Sequence, residues 1–168
     1  MKLEPDALTA TAPRQQLWKT WLAAGLWLLL IAIESSNALS SDNTGRILYA
    51  IMTFFYGPID RAWFVQFHHI LRKTGHVVGY AILSILLFRA WRATFFRPAR
   101  WAWLWTALAF SGTALVASMD EWHQSYIPSR TGTYHDVILD SSAALAAQIL
   151  IYLVVRGWRI GSSLQASA

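Results

Sequence analysis

Cysteine is absent from the 168-residue chain, which excludes a disulfide framework and any thiolate metal site. Charge is scarce. Asp, Glu, Lys and Arg together make up 14% of the residues against 55% hydrophobic, well below the roughly 25% charged of a soluble domain. The five prolines all fall outside the long apolar runs, so no ring interrupts a helix there. Those runs are continuous and do not alternate about every ten residues, which favours helices over a transmembrane barrel. No internal repeat and no second domain is visible. The acidic side chains are outnumbered, 9 to 14, for a net charge of +5. In so apolar a chain, that excess is the signature of cytoplasmic loops and not of nucleic-acid binding.

What the chain does contain is hydrocarbon and ten tryptophans. Four segments, near residues 17–33, 75–91, 101–119 and 137–155, come close to the roughly 17–25 apolar residues a spanning helix needs. The expectation is an all-α membrane protein, a four-transmembrane-helix bundle. Residues 1–16 are polar with two prolines and read as a flexible cytoplasmic tail; 17–155 form the membrane domain; 156–168 are a second cytoplasmic tail. Arg14 and Lys19 before the first run, with small residues near 36–40, also fit a signal peptide. The long polar stretch before the run, and Glu34 at its end, favour a span. Between spans 1 and 2, "ILYAIMTFFY" is too short to cross, and Gly57-Pro58 breaks it. In residues 58–73, Ile59, Trp63, Phe67, Ile70 and Leu71 share a face, the pattern of an interfacial helix on the extracytoplasmic surface.

Lys and Arg counts set the orientation. Arg14, Lys19, Arg89, Arg92, Arg97, Arg100, Arg156 and Arg159 fall on one side of a four-span chain, with Trp18, Trp21, Trp91, Trp101, Trp103, Trp105 and Trp158. That side reads as cytoplasmic, placing both termini inside a plasma membrane. The opposite ends of all four spans carry the unusual residues. These are Glu34, Ser35 and Ser36 after span 1, and Lys73, His76 and Tyr80 opening span 2. Asp120, Glu121, His123 and Gln124 follow span 3, while Asp136 and Asp140 open span 4. Each ionisable group at membrane depth costs about 2.5–3.5 kcal/mol on insertion scales, so such groups are usually paired and functional. Asp120 and His123 are three residues apart, Asp120 and Gln124 four, and Asp136 and Asp140 four, so each pair shares a helix face if the helix runs through it. The expectation is an outward-facing polar pocket, with Arg130 in a turn able to cap carboxylates or grip a phosphate.

Simpler readings exist for each group. Asp120 can serve only to hold Arg130, Asp136 can be a helix N-cap, His68 and His69 can be interfacial side chains, and Gln148 an interhelical hydrogen-bond partner. Ser141, Ser142, Ala143, Ala144 and Ala147 form a small-residue packing face.

The stretch "DEWHQSYIPSRTGTYHDVILDSSAA" resembles the signature of VanZ-like membrane proteins. Asp120, Glu121, Gln124, Pro128, Arg130 and Asp136 match it position by position, and Lys73, His76 and Tyr80 match the family's other block. The Ser pair after span 1 also fits, and the resemblance covers about residues 20–155. One departure is that the last helix lacks the glycines common in the family, carrying "SSAALAAQ" instead. The resemblance implies an envelope protein linked to glycopeptide, chiefly teicoplanin, resistance. Three functions compete. In the first, Glu121, His76 and Asp136 do acid–base chemistry on a lipid headgroup or lipid-linked precursor. Arg130, Lys73, Gln124, Asp120, Glu34, Ser36, Tyr80 and Asp140 then bind it. In the second, the same pocket binds an amphiphile or partner without turnover. In the third, His76, Asp120, Glu121 and His123 hold zinc or iron, although His123 falls on a variable position of the signature. The first two are preferred, so no cofactor and no metal is expected, and membrane lipids are the expected partners.

Overall fold

The computed structural model describes residues 14–95, 102–127 and 132–166. All regular elements among them are helical: α1 (Arg14–Ser35), a 3-10 turn (Asn37–Leu39), α2 (Ser41–Tyr56), α3 (Arg61–Thr94), α4 (Ala102–Gln124) and α5 (Tyr134–Ala166). Three stretches are long and apolar enough to cross a membrane: Leu17–Ser35, Arg61–Thr94 and Tyr134–Gly157. α4 is not among these three. The basic hairpin with Arg97 and Arg100, and the Pro128–Arg130 turn, lie outside the described residues.

α3 is the central element and packs against α1, α4 and α5. Pairings along its length give the directions. Lys73 meets Asp136, His76 meets Asp140 and Ser84 meets Gln148, so α5 runs parallel to α3. Tyr80 meets Asp120 while Phe88 meets Trp105, so α4 runs antiparallel to it. Trp27 donates to the Gly79 carbonyl and Trp21 to Thr94, so α1 is antiparallel as well. Successive long helices therefore alternate in direction. Between them, Ala90, Ala109 and Ala144 are fully buried; side chains this small let helix backbones approach closely. The apolar side chains on the outside are large and exposed, including Leu26, Leu29 and Ile33 on α1 and Leu145, Ile149 and Leu153 on α5. Such a surface is a liability in water and ordinary in lipid.

The interfacial helix expected over 58–73 is not a separate element. Asp60 caps α3 by accepting the Trp63 N–H at 2.7 Å, and the helix then runs unbroken for 34 residues, roughly 51 Å at about 1.5 Å per residue. Gly75 and Gly79 lower helix propensity by about 1 kcal/mol each without stopping it, and no proline falls between Pro58 and Pro98. The expected apolar face is present, with Trp63, Ile70 and Leu71 exposed, but it belongs to the first turns of a longer helix. His68, read as an interfacial side chain, is instead buried against α2, its Nε2 3.2 Å from Thr44 Oγ1.

The separate amphipathic helix is α2. Asp42, Gly45, Arg46 and Tyr49 lie on one face, towards a cavity, while Ile47, Ile51, Phe54 and Phe55 are exposed on the other. Its N-cap Ser40 accepts the Asn43 N–H, and it ends at Gly57, whose φ of 80° is a conformation glycine adopts at little cost.

Candidate functional site

At one end of the bundle the helix faces exchange side-chain hydrogen bonds in a ladder. Lys73, His76, Tyr80 and Ser84 repeat at three- and four-residue intervals along one face of α3. Lys73 Nζ lies 2.6 Å from Asp136 Oδ1. One turn on, His76 Nδ1 lies 3.3 Å from Asp140 Oδ2. Tyr80 then donates to Asp120 Oδ2 at 2.9 Å. The same oxygen accepts from Gln124 Nε2 at 3.0 Å, and Gln124 also reaches Ser35 Oγ at 3.3 Å. Deeper in the bundle Gln148 donates to the Ser84 carbonyl and hydroxyl, which fits its interhelical reading. Asp120, Glu121, Gln124 and Asp140 are buried, so burial of these polar groups is offset by this bonding.

The junction of α4 and α5 is equally specific. α4 continues as a helix through Gln124, so the expected face-sharing of Asp120 and Gln124 is realised. The N-cap of α5 is Thr133 and not Asp136, which sits in the first turn. The Thr133 hydroxyl donates to Asp136 Oδ2 at 3.0 Å, and the Thr133 backbone N–H donates to Glu121 Oε2 at 2.8 Å. Glu121 thus takes the N–H that a capping box would satisfy within its own helix. The approach requires glycine at 132, because a Cβ there would stand 2.4 Å from the Glu121 carbonyl oxygen. Glu121 lies beyond the apolar part of α4. Its side chain is buried and accepts the Thr133 N–H.

Of the residues the sequence singles out, Lys73, His76, Glu121, Gln124 and Asp136 line one cavity of about 710 Å³. Glu34, Tyr80 and Asp120 line a smaller hollow between α1, α3 and α4, with His76 at both. Asp140 lies behind His76, with Oδ1 buried and unpartnered. The Ser36 hydroxyl donates to the Ile33 carbonyl at 2.6 Å, and it is the neighbouring Ser35 that joins the Gln124 network. His123 is exposed on α4. Arg130 lies outside the described residues.

Sequence reasoning missed the guanidiniums that line the same cavity. Arg46 from α2 and Arg61 and Arg72 from the start of α3 face the same cavity as Lys73. Arg46 holds the Asn43 side chain, Arg72 the Leu39 carbonyl, and Arg61 lies 5.6 Å from the centre of the Tyr49 ring. The available signal was the spacing of Asp42, Arg46 and Tyr49, one face of a helix.

An all-helical membrane protein with a hydrogen-bonded acid–base cluster gathered at one end of its bundle is thereby defined. The sequence matches the VanZ/LLP1 family over residues 20–156, and the chain belongs to that family. Neither curated proteins nor solved structures gave a match.

Proposed function

We propose that this protein is a four-span protein of the plasma membrane, with both termini cytoplasmic. Its polar cavity opens outward to take the phosphate-bearing headgroup of a lipid or lipid-linked envelope precursor. The single observation that carries the reading is the charge layout of the cavity. Arg46, Arg61, Arg72 and Lys73 line it together with Asp42, His76, Glu121 and Asp136. Cations in a partly enclosed site hold phosphate oxygens by charge-assisted hydrogen bonds, which leaves the carboxylates and imidazole beside the linkage. α4 supports the fourth span: it runs alongside α3 from Trp105 to Asp120, and its 23 residues make roughly 34 Å against a core of about 30 Å. α2 would lie at the outer interface, its exposed Ile47, Ile51 and Phe54 in the lipid and its Arg46 over the cavity.

In the catalytic form of this reading, His76 or Glu121 exchanges a proton with the headgroup. Asp136 fixes Lys73, and Arg130 binds the phosphate. The alternative is a non-catalytic amphiphile binder. The bond from Thr133 N–H to Glu121 favours it, because a carboxylate that holds two helices together is constrained as a base. Both forms fit a role in glycopeptide resistance, since a headgroup held at the outer leaflet alters what such an antibiotic meets.

The test is nanodisc-reconstituted protein incubated with phosphatidic acid, phosphatidylglycerol, phosphatidylcholine and a polyprenyl diphosphate. Bound lipid is read by native mass spectrometry and products by lipid mass spectrometry. Retention of phosphate lipids that weakens at least tenfold in Arg72→Ala/Lys73→Ala is expected. Turnover lost in Glu121→Gln identifies the catalytic form, and retention without turnover the binding form. No phosphate lipid retained above phosphate-free diacylglycerol overturns both.

A further inference from the structure

We propose that the floor of the site binds one divalent transition-metal ion through His76, Asp120 and Glu121. One nitrogen or oxygen from each of these residues lies within 4.8 Å of the others. Metal–ligand bonds of about 2.0–2.2 Å place ligand atoms roughly 3–3.5 Å apart, so a contraction of at most about 1.3–1.8 Å, within the reach of side-chain rotation, closes the site.

The second, independent observation is how each residue is held. His76 uses Nδ1 toward Asp140. Asp120 uses Oδ2 to accept from Tyr80 and Gln124. Glu121 uses Oε2 to accept from Thr133. In every case one atom is bound to a neighbour and its twin, His76 Nε2, Asp120 Oδ1 or Glu121 Oε1, enters no hydrogen bond among the described residues. Metal ligands are typically supported in this way, with an outer partner fixing the orientation of each donor. Asp140 is the telling partner. It is fully buried, it faces the imidazole, and its Oδ1 has no hydrogen bond. A buried carboxylate on Nδ1 fixes the orientation of the ring and leaves Nε2 as the donor.

Mixed imidazole and carboxylate donors select Zn²⁺ or Mn²⁺ over Ca²⁺ and Mg²⁺, which favour oxygen shells. Three protein ligands leave an open position toward the cavity, which Glu121 and His76 line together with Arg46, Arg61 and Arg72. This differs from the set that includes His123, which is exposed.

The site is testable without any lipid. Full-length protein in detergent is stripped with a chelator and titrated with Zn²⁺, Mn²⁺ and Mg²⁺, with bound metal counted by elemental analysis. Co²⁺ serves as a spectroscopic probe of the donor set. One Zn²⁺ or Mn²⁺ per chain is expected, with Mg²⁺ weaker. Affinity should fall at least 100-fold in His76→Gln and in Glu121→Gln, and about 10–100-fold in Asp140→Asn with the stoichiometry kept. His123→Gln should bind as wild type. Helicity by circular dichroism identifies variants that fail to fold, and for any that do, wild-type Co²⁺ spectra still report whether a nitrogen donor is present. Absence of a stoichiometric ion in wild type overturns the inference. So does binding that survives His76→Gln and Glu121→Gln together, or a Co²⁺ spectrum with oxygen donors only. Because no lipid enters this experiment, its failure leaves the headgroup reading standing, and the reverse holds as well.

Discussion

Replacing Tyr80 with Phe removes one hydroxyl from a sealed place. Tyr80 is 1% exposed and donates to Asp120 Oδ2 at 2.9 Å. Without it, that oxygen keeps only Gln124 Nε2 at 3.0 Å, while the ring still fills its space. A hydrogen bond to a charged acceptor is worth about 1.5–3 kcal/mol in soluble proteins. Interhelical hydrogen bonds within membranes average about 0.6 and reach about 1.7 kcal/mol. The two ranges overlap near 1.5 kcal/mol, which is the expected loss and corresponds to roughly 3–6 °C in Tm for a chain of this size. The assay is thermal unfolding in detergent, followed by the fluorescence of the ten tryptophans. A double-mutant cycle with Asp120→Ala isolates the pair and should return a coupling of about 1–1.5 kcal/mol. A coupling within about 0.3–0.5 kcal/mol of zero, the additivity expected of independent sites, would refute the registry of α3 on α4 and with it the whole ladder.

Gly132→Ala places a Cβ 2.4 Å from the Glu121 carbonyl oxygen and 2.9 Å from the Ser125 nitrogen; both are backbone atoms, so a loss of about 1–3 kcal/mol is expected, and an alanine variant with unchanged Tm would contradict the close approach. Gln148→Met removes two bonds to Ser84 but also removes a buried oxygen that has no partner, so the change should stay within about 1 kcal/mol, whereas Gln148→Glu should cost about 2.5 kcal/mol or more; equal Tm values for the two would show that this site is wet. Lys73→Met breaks an ion pair whose side chains are 43% and 26% exposed, so the stability loss should be below about 1 kcal/mol; a much larger drop in chemical-denaturation stability would mean Lys73 is structural.

Much of this architecture is written in local pattern. Apolar runs of spanning length marked the cores of α1, α3, α4 and α5, and the accumulation of Glu34, His76, Asp120 and Asp140 at run ends marked the end of the bundle where they meet. Spacing alone placed Asp120 with Gln124, because a helix period of 3.6 puts them on one face. Three things were not legible. The length of α3 was hidden because Gly75 and a basic pair before it read as a boundary, although neither removes a backbone hydrogen bond. α2 is hidden because its apolar half alone is too short to cross a membrane, and Ser40, Asp42 and Arg46 have a loop-like composition although Ser40 caps a helix. The N-cap of α5 was assigned to Asp136, but the choice between Thr133 and Asp136 depends on where the Glu121 carboxylate sits, a contact twelve residues away in sequence that local propensity cannot express.

The balance of charge at the bundle end bears on which ligands the proposed function admits. Among the described residues, Asp120, Glu121, Asp136 and Asp140 gather where Lys73 and His76 are the basic residues of the ladder. Hydrogen bonds from Tyr80, Gln124 and Thr133 neutralise none of that charge; they only replace the water lost on burial. The guanidiniums of Arg46, Arg61 and Arg72, on α2 and the N-terminal third of α3, line the same cavity, with Asp42 beside Arg46. A cavity lined by groups of both signs offers carboxylates to a cation and guanidiniums to an anion. A headgroup phosphate accompanied by a metal ion answers both at once. An uncharged sterol or glycolipid answers neither, and its entry would strip water from two sets of charges with nothing in return. Under the proposed function, discrimination between amphiphiles therefore follows from desolvation, and chain length or unsaturation should matter far less than the presence of the phosphate.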